Sequence, residues 1–129
     1  MAFEKLVKPY TNAASPDRVA VSVVVPRKGR PVLTVFIGPA WATSMGLTSG
    51  STVDLWWDKL ASLLKVSKGT GWKVRTWSHS TLRLSLPSDL MGIPRVPVRL
   101  AAVQAKQDAE GNLVIVIPSW VMEAKAVAK

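Results

Sequence analysis

The sequence predicts a mainly β protein with short helices, built from two similar halves about a pseudo-twofold axis. Three observations carry this. Leu33, Val35 and Ile37 alternate as in a half-buried strand, and Leu82, Leu84 and Leu86 alternate in the same way 49 residues later. Each stretch leads through a proline, Pro39 or Pro87, into a short segment ending Met45-Gly46-Leu47 or Met91-Gly92-Ile93, 46 residues apart. Alternation then resumes at Val53 and Leu55, and 45 residues after Val53 at Val98 and Leu100. The near-constant spacing makes the repeat the unit of folding, and small loop changes account for the drift.

The elements follow in order. Residues 1–18 mix Pro9, Asn12, Ser15 and Pro16 with scattered charge and read as an irregular arm. The first unit spans 19–68. Val19, Val21, Val23 and Val25 alternate, Pro26 to Pro31 turn, and the chain returns through Leu33 to Ile37 as a hairpin with a basic tip. Pro39 suits a helix start, where its missing N–H costs nothing, and Gly46 suits a left-handed helix end about two turns on. After the turn at 48–51, strands are expected over Thr52–Trp57 and Ala61–Val66.

The second unit spans 69–117 and opens on the turn Gly69-Thr70-Gly71. Trp72–Trp77 reads as a strand, Ser78-His79-Ser80 as a turn, and Thr81–Leu86 as the returning partner. Pro94 and Pro97 lack ladder donors and make an irregular entry to the strand Val98–Val103. Asp108 to Asn112 is a polar turn before Leu113–Ile117, an apolar run suited to the centre of the core. Residues 118–129 form a C-terminal helix or tail.

Composition narrows the function classes. With 129 residues the chain fits one domain whose halves share a core, and 48% hydrophobic content argues against disorder. Cysteine is absent, which excludes disulfides and thiolate metal sites. No signal-peptide core and no membrane-length apolar run is present, so the expectation is a cytoplasmic protein, nucleoid-associated or in the host cytoplasm if viral. Seventeen Lys and Arg against eight Asp and Glu give +9, and 65–106 alone holds eight basic residues against Asp89, a net +7. Such a stretch attracts polyanions, because neutralised phosphates release their counterions.

The order of hairpin, Pro-initiated short helix, Gly-Leu or Gly-Ile step and closing hairpin resembles the AbrB/MazE-like swapped-hairpin (SpoVT-AbrB) family of DNA-binding proteins. The match is closer in the second half, through Val74-Arg75, Leu82-Arg83-Leu84-Ser85-Leu86-Pro87 and Leu90-Met91-Gly92-Ile93. The first half supplies Gly29-Arg30, Leu33–Ile37, Gly38-Pro39 and the run Met45 to Val53. The resemblance covers about residues 19–117. It implies a duplicated swapped-hairpin β-barrel, in which one chain supplies both units that family members exchange in a dimer. The extra residues before Met45-Gly46 and the prolines at 94 and 97 depart from the family pattern.

Little in the sequence suggests catalysis. His79 stands without a nearby acid or second ligand, no serine lies in a recognisable nucleophile motif, and Gly69-Thr70-Gly71 lacks the rest of a phosphate loop. Asp54 and Asp58 flank Trp56-Trp57 and read as exposed strand-end residues. Neither cofactor nor metal is expected. Among the six tryptophans burial is the simpler expectation, while Trp56 and Trp57 must point to opposite faces of a strand.

The basic strands carry the functional reading. Lys73, Arg75 and Trp77 share the face opposite Val74, and Arg83 lies opposite Leu82 and Leu84, so their charges share one outward face. Arg27, Lys28 and Arg30 occupy the first hairpin tip, with Arg95 and Arg99 as further phosphate contacts. A two-stranded ribbon fits the major groove and arginine pairs with guanine, so double-stranded DNA is the expected partner of a non-catalytic regulator or DNA-organising factor. Trp77 keeps a single-stranded nucleic-acid partner open. A homodimer, or a protein-binding or assembly role, antitoxin-like or viral, is the alternative of another class; Glu123 alone is a weak acidic tail for an antitoxin.

Overall fold

The computed structural model describes residues 18–78 and 81–122. Ten strands form two five-stranded sheets. The strands are β1 (Val19–Val24), β2 (Val32–Ile37), β3 (Thr52–Asp58), β4 (Leu63–Lys68), β5 (Trp72–Lys73), β6 (Arg75–Ser78), β7 (Thr81–Pro87), β8 (Val98–Val103), β9 (Ala105–Gln107) and β10 (Leu113–Val116). The first sheet runs β6-β7-β2-β1-β8 and the second β5-β3-β4-β10-β9. The short helices are α1 (Pro39–Met45), a 3-10 turn (Ser88–Met91) and α2 (Ser119–Met122).

The alternating aliphatics set the register. In the antiparallel β2·β7 ladder Leu33 faces Leu86, Val35 faces Leu84 and Ile37 faces Leu82. All six are buried. They join Val53, Leu64, Val66, Leu113 and Ile115 of the second sheet in one core. Burying one such side chain stabilises by roughly 1.5–3 kcal/mol, so these rows decide which face of each strand turns inward. The even-numbered residues of β2 and the odd-numbered residues of β7 are thereby turned outward.

Both helical segments end as their glycines require. Gly46 and Gly92 take left-handed conformations with φ of 68° and 73°. In each, the glycine N–H bonds the carbonyl three residues back and the next residue's N–H bonds the carbonyl five back, Thr43 and Ala42 in one case and Asp89 and Ser88 in the other. Met45 and Met91 are buried beneath them.

Several expectations are corrected. The barrel is not closed: the described ladders leave β6 and β8 as edges of one sheet and β5 and β9 as edges of the other. The expected strand 72–77 divides at Val74, whose N–H and C=O turn to Ser51 and Gly50, so β5 pairs with β3 while β6 pairs with β7. A second division at Gln104 hands the chain from β8 to β9, a strand the sequence reading missed. β4 starts at Leu63, because Ala61 and Ser62 complete the preceding turn, with Ser62 at φ 54°. The arm before Arg18, His79 with Ser80, and the tail after Met122 lie outside the described residues.

Asp54 and Asp58 do more than sit exposed. Asp54 Oδ1 accepts the N–H groups of Thr70 and Gly71 at 3.2 and 3.1 Å, and Asp58 Oδ1 accepts that of Ala61 at 3.1 Å. Each carboxylate satisfies turn donors that would otherwise need water.

Candidate nucleic-acid interface

Alternation on β6 and β7 builds the candidate surface. Val74 is fully buried and Arg75 is exposed next to it, Trp77 is exposed where the β6·β7 register shifts between Thr76 and Ser78, and buried Leu82 and Leu84 turn Arg83 outward between them. Arg75 and Arg83 are register partners in the β6·β7 ladder. Neither side chain forms an ion pair or hydrogen bond among the described residues. Like charges directly opposite across a ladder repel, so this pair carries an electrostatic cost in the free protein.

Trp77 continues the surface beside them. It is 51% exposed, and its ring meets Phe36 edge-on, with centroids 4.7 Å apart and planes at 65°. A shallow cleft of about 40 Å³ lies among Arg18, Ala20, Phe36, Trp77 and Leu100. Arg18 was missed in the sequence; its place two residues before Ala20 gave only a weak sign that it would reach this face.

The other expected cations are distributed differently. Lys73 is exposed, but it belongs to β5 and faces Thr52 on the second sheet, so the break at Val74 separates it from the Arg75–Arg83 ribbon. Arg27 and Lys28 are exposed on the β1–β2 loop. Arg30 pairs with Asp89, Nη2 to Oδ1 at 2.7 Å and Nε to Oδ2 at 3.2 Å. That contact holds the Asp89 carboxyl below the usual aspartate range and raises the Arg30 guanidinium further. Arg95 spends two donors on the same loop, bonding the carbonyls of Gly29 and Pro26 at 2.9 Å each. Arg99 is exposed on the edge strand β8.

A segregation of cation types emerges that sequence order conceals. Six of the seven arginines lie on the strands of the first sheet or the segments joining them, with Lys28, and Arg18 directly precedes β1. Against these eight cations Asp89 is the one acid of that sheet and its connecting segments among the described residues, a net +7 there. The described lysines Lys59, Lys65, Lys68, Lys73 and Lys106 lie on the second sheet and its turns with Asp54, Asp58, Asp108 and Glu110, a net +1. Arginine's planar fork matches phosphate and base edges in a way that the point charge of lysine does not.

The second sheet presents a different face. Trp56 is 57% exposed, donates its indole N–H to Ser67 Oγ at 3.0 Å, and lies beneath Lys65 Nζ at 5.7 Å from the ring centroid. An open groove of about 480 Å³ runs past Trp56, Lys65, Lys68 and Asn112. Trp57, on the opposite side of β3 as expected, packs against the core with Trp41 and Trp72. Trp120 is, like Trp56 and Trp77, about half exposed, and Trp41, Trp57 and Trp72 are only partly buried, so no tryptophan is fully enclosed.

Among the described residues no group of three or more His, Cys, Asp or Glu could hold a metal, and no described helix is long and apolar enough to cross a membrane. No family model, curated protein or solved structure matches the chain.

Proposed function

We propose that this chain is a non-catalytic DNA-binding protein, a regulator or DNA-organising factor, that takes duplex DNA on the arginine-bearing face of its first sheet. The observation that carries this is the Arg75–Arg83 pair. Two exposed arginines are register partners with no counterion among the described residues. A phosphate between them would turn repulsion into two charge-assisted contacts. The gathering of all arginines on the first sheet and its flanking and connecting segments supports the same reading.

The finer architecture belongs to this proposal. The two halves are copies in the swapped-hairpin manner: β2 and β7 pair about their common centre, each flanked by its own hairpin partner, and both helical segments end in a matched Met-Gly-aliphatic triplet. The family resemblance makes DNA the natural partner of such a unit.

A second reading is favoured by Trp77. Its exposed ring, propped on Phe36 beside two arginines, suits stacking against an unpaired base, which would make single-stranded nucleic acid the ligand.

Fluorescence anisotropy with duplex DNA, single-stranded DNA and RNA of equal length, over a salt series, tests these readings. Duplex preference is expected, and Arg75→Ala with Arg83→Ala should lower the log–log salt slope by about 1.8. Binding that survives this double substitution unchanged would remove the ribbon from the interface, and absence of salt-sensitive binding to all three would sink the proposal.

A further inference from the structure

Along β6, β7, β2 and the β1–β2 loop the described cations fall at two places, with Arg99 standing apart on the opposite edge strand β8. Arg75 and Arg83 lie level with Phe36, with Arg18 on the cleft beside it. Moving along β7 from Arg83, the outward positions are Ser85, whose Oγ is 3.3 Å from Thr34 Oγ1, and then Pro87 opposite Val32. From Arg83 to Pro87 the four-residue step covers about 13 Å without a further outward charge on β2 or β7. Beyond them comes the β1–β2 loop with Arg27 and Lys28.

That loop is held by two independent devices. The Arg95 fork closes on the Gly29 and Pro26 carbonyls, and the Arg30–Asp89 pair ties the loop's end to the 3-10 turn. Arg27 and Lys28 therefore sit on a braced loop with their charges free of any ion pair among the described residues. Bracing lowers the ordering cost of a contact made there.

Resting on the proposed function, we infer that the nucleic acid is held at two separate points: phosphates at Arg75–Arg83 and, about 20 Å away along the strands, phosphates at Arg27–Lys28, with Arg95 as the positioning residue of the second point. At 3.4 Å per base pair that separation corresponds to about six base pairs. The hydroxyl strip of Thr34 and Ser85 lies between the two contacts.

The test compares hairpin-stem duplexes of about 5 and about 15 base pairs, only the longer of which can reach both points. On the long stem Arg27→Ala with Lys28→Ala should weaken binding by about tenfold and lower the salt slope by about 1.8. On the short stem it should change affinity less than about twofold, because either point alone can hold the stem. Arg27→Lys, which keeps the charge, should bind normally. Arg95→Lys, which keeps the charge but cannot fork both carbonyls, should weaken the long stem selectively. If the Arg27 and Lys28 substitutions leave long-stem affinity and slope unchanged while those at Arg75 and Arg83 lower both, the two-point inference fails and the DNA-binding reading stands. If the Arg75 and Arg83 substitutions have no effect, both fail. Equal losses on both stems would also overturn it, since contact length would then be irrelevant.

Discussion

The Arg30 guanidinium grips the Asp89 carboxylate across 59 residues of sequence through two contacts of 2.7 and 3.2 Å. It is the sole ion pair among the described residues, and both partners are exposed, so its value lies in tying the basic loop to the 3-10 turn more than in global stability. Its pH dependence has a definite sign. Asp89 is held below its ordinary range chiefly by the hydrogen bond from Arg30, and Asp108 chiefly by the Asn112 backbone N–H. Folded-state values below the unfolded ones mean that the unfolded chain binds protons first. Any stabilisation is therefore complete above the ordinary aspartate range and is lost as pH falls through the depressed values. Urea midpoints measured down the acid limb should fall, and Asp89→Asn should flatten that fall relative to the parent. An unchanged acid limb would show that the pair contributes nothing.

Gly46 and Gly92 predict matched costs. Each ends a helical segment in the left-handed region, and an added Cβ would meet a lysine ammonium at ordinary contact distance, Lys68 at 3.5 Å and Lys59 at 3.4 Å. Space is available, so strain comes from the backbone. Gly46→Ala and Gly92→Ala should each cost about 1–2 kcal/mol by chemical denaturation. A difference larger than that range would argue against equivalent roles in the two halves.

The fold class was legible because Leu33, Val35 and Ile37 and their counterparts Leu82, Leu84 and Leu86 are simple alternating rows, and burial leaves such rows no choice of face. The outward placement of Arg83 follows from the same alternation, whereas Trp77 sits where the β6·β7 register shifts, beside exposed Thr76. What local pattern could not supply were long-range decisions. The switch of sheets at Val74 depends on hydrogen bonds to Gly50 and Ser51, and it moved Lys73 away from the ribbon. Arg95 looked like a free phosphate contact, because nothing near it in sequence reveals that its donors end on Gly29 and Pro26. The division of arginine and lysine between sheets is likewise invisible until strand order is known.

Asp54 and Gly69 should behave as a coupled pair. A Cβ at Gly69 would overlap the Asp54 carboxylate, which is itself fixed by the Thr70 and Gly71 N–H groups. Gly69→Ala should destabilise by about 1–3 kcal/mol, and Asp54→Ala by about 1 kcal/mol through loss of the turn contacts. Combining them should cost less than the sum, because removing the carboxylate removes the clash. Strict additivity in a double-mutant cycle would contradict the close approach.

Trp77 offers the sharpest division between duplex and single-strand recognition. It packs edge-on against Phe36 yet leaves half its surface to solvent, and it has no place in the buried core. A base-stacking ring contributes about 1–3 kcal/mol per base, whereas a duplex held on arginines gains most of its affinity from phosphates. Trp77→Ala should therefore lower duplex affinity only modestly while thermal melting stays close to the parent. Loss of the Phe36 contact limits the stability change to about 0.5–1.5 kcal/mol beyond the area exposed. The competing reading expects selective loss of single-strand binding and quenching of tryptophan fluorescence by single strands in the parent protein. Because Trp56 and Trp120 are also exposed, quenching must vanish in Trp77→Ala to be assigned to this ring. Both results together would replace duplex DNA with single-stranded nucleic acid as the ligand of the Arg75–Arg83 face.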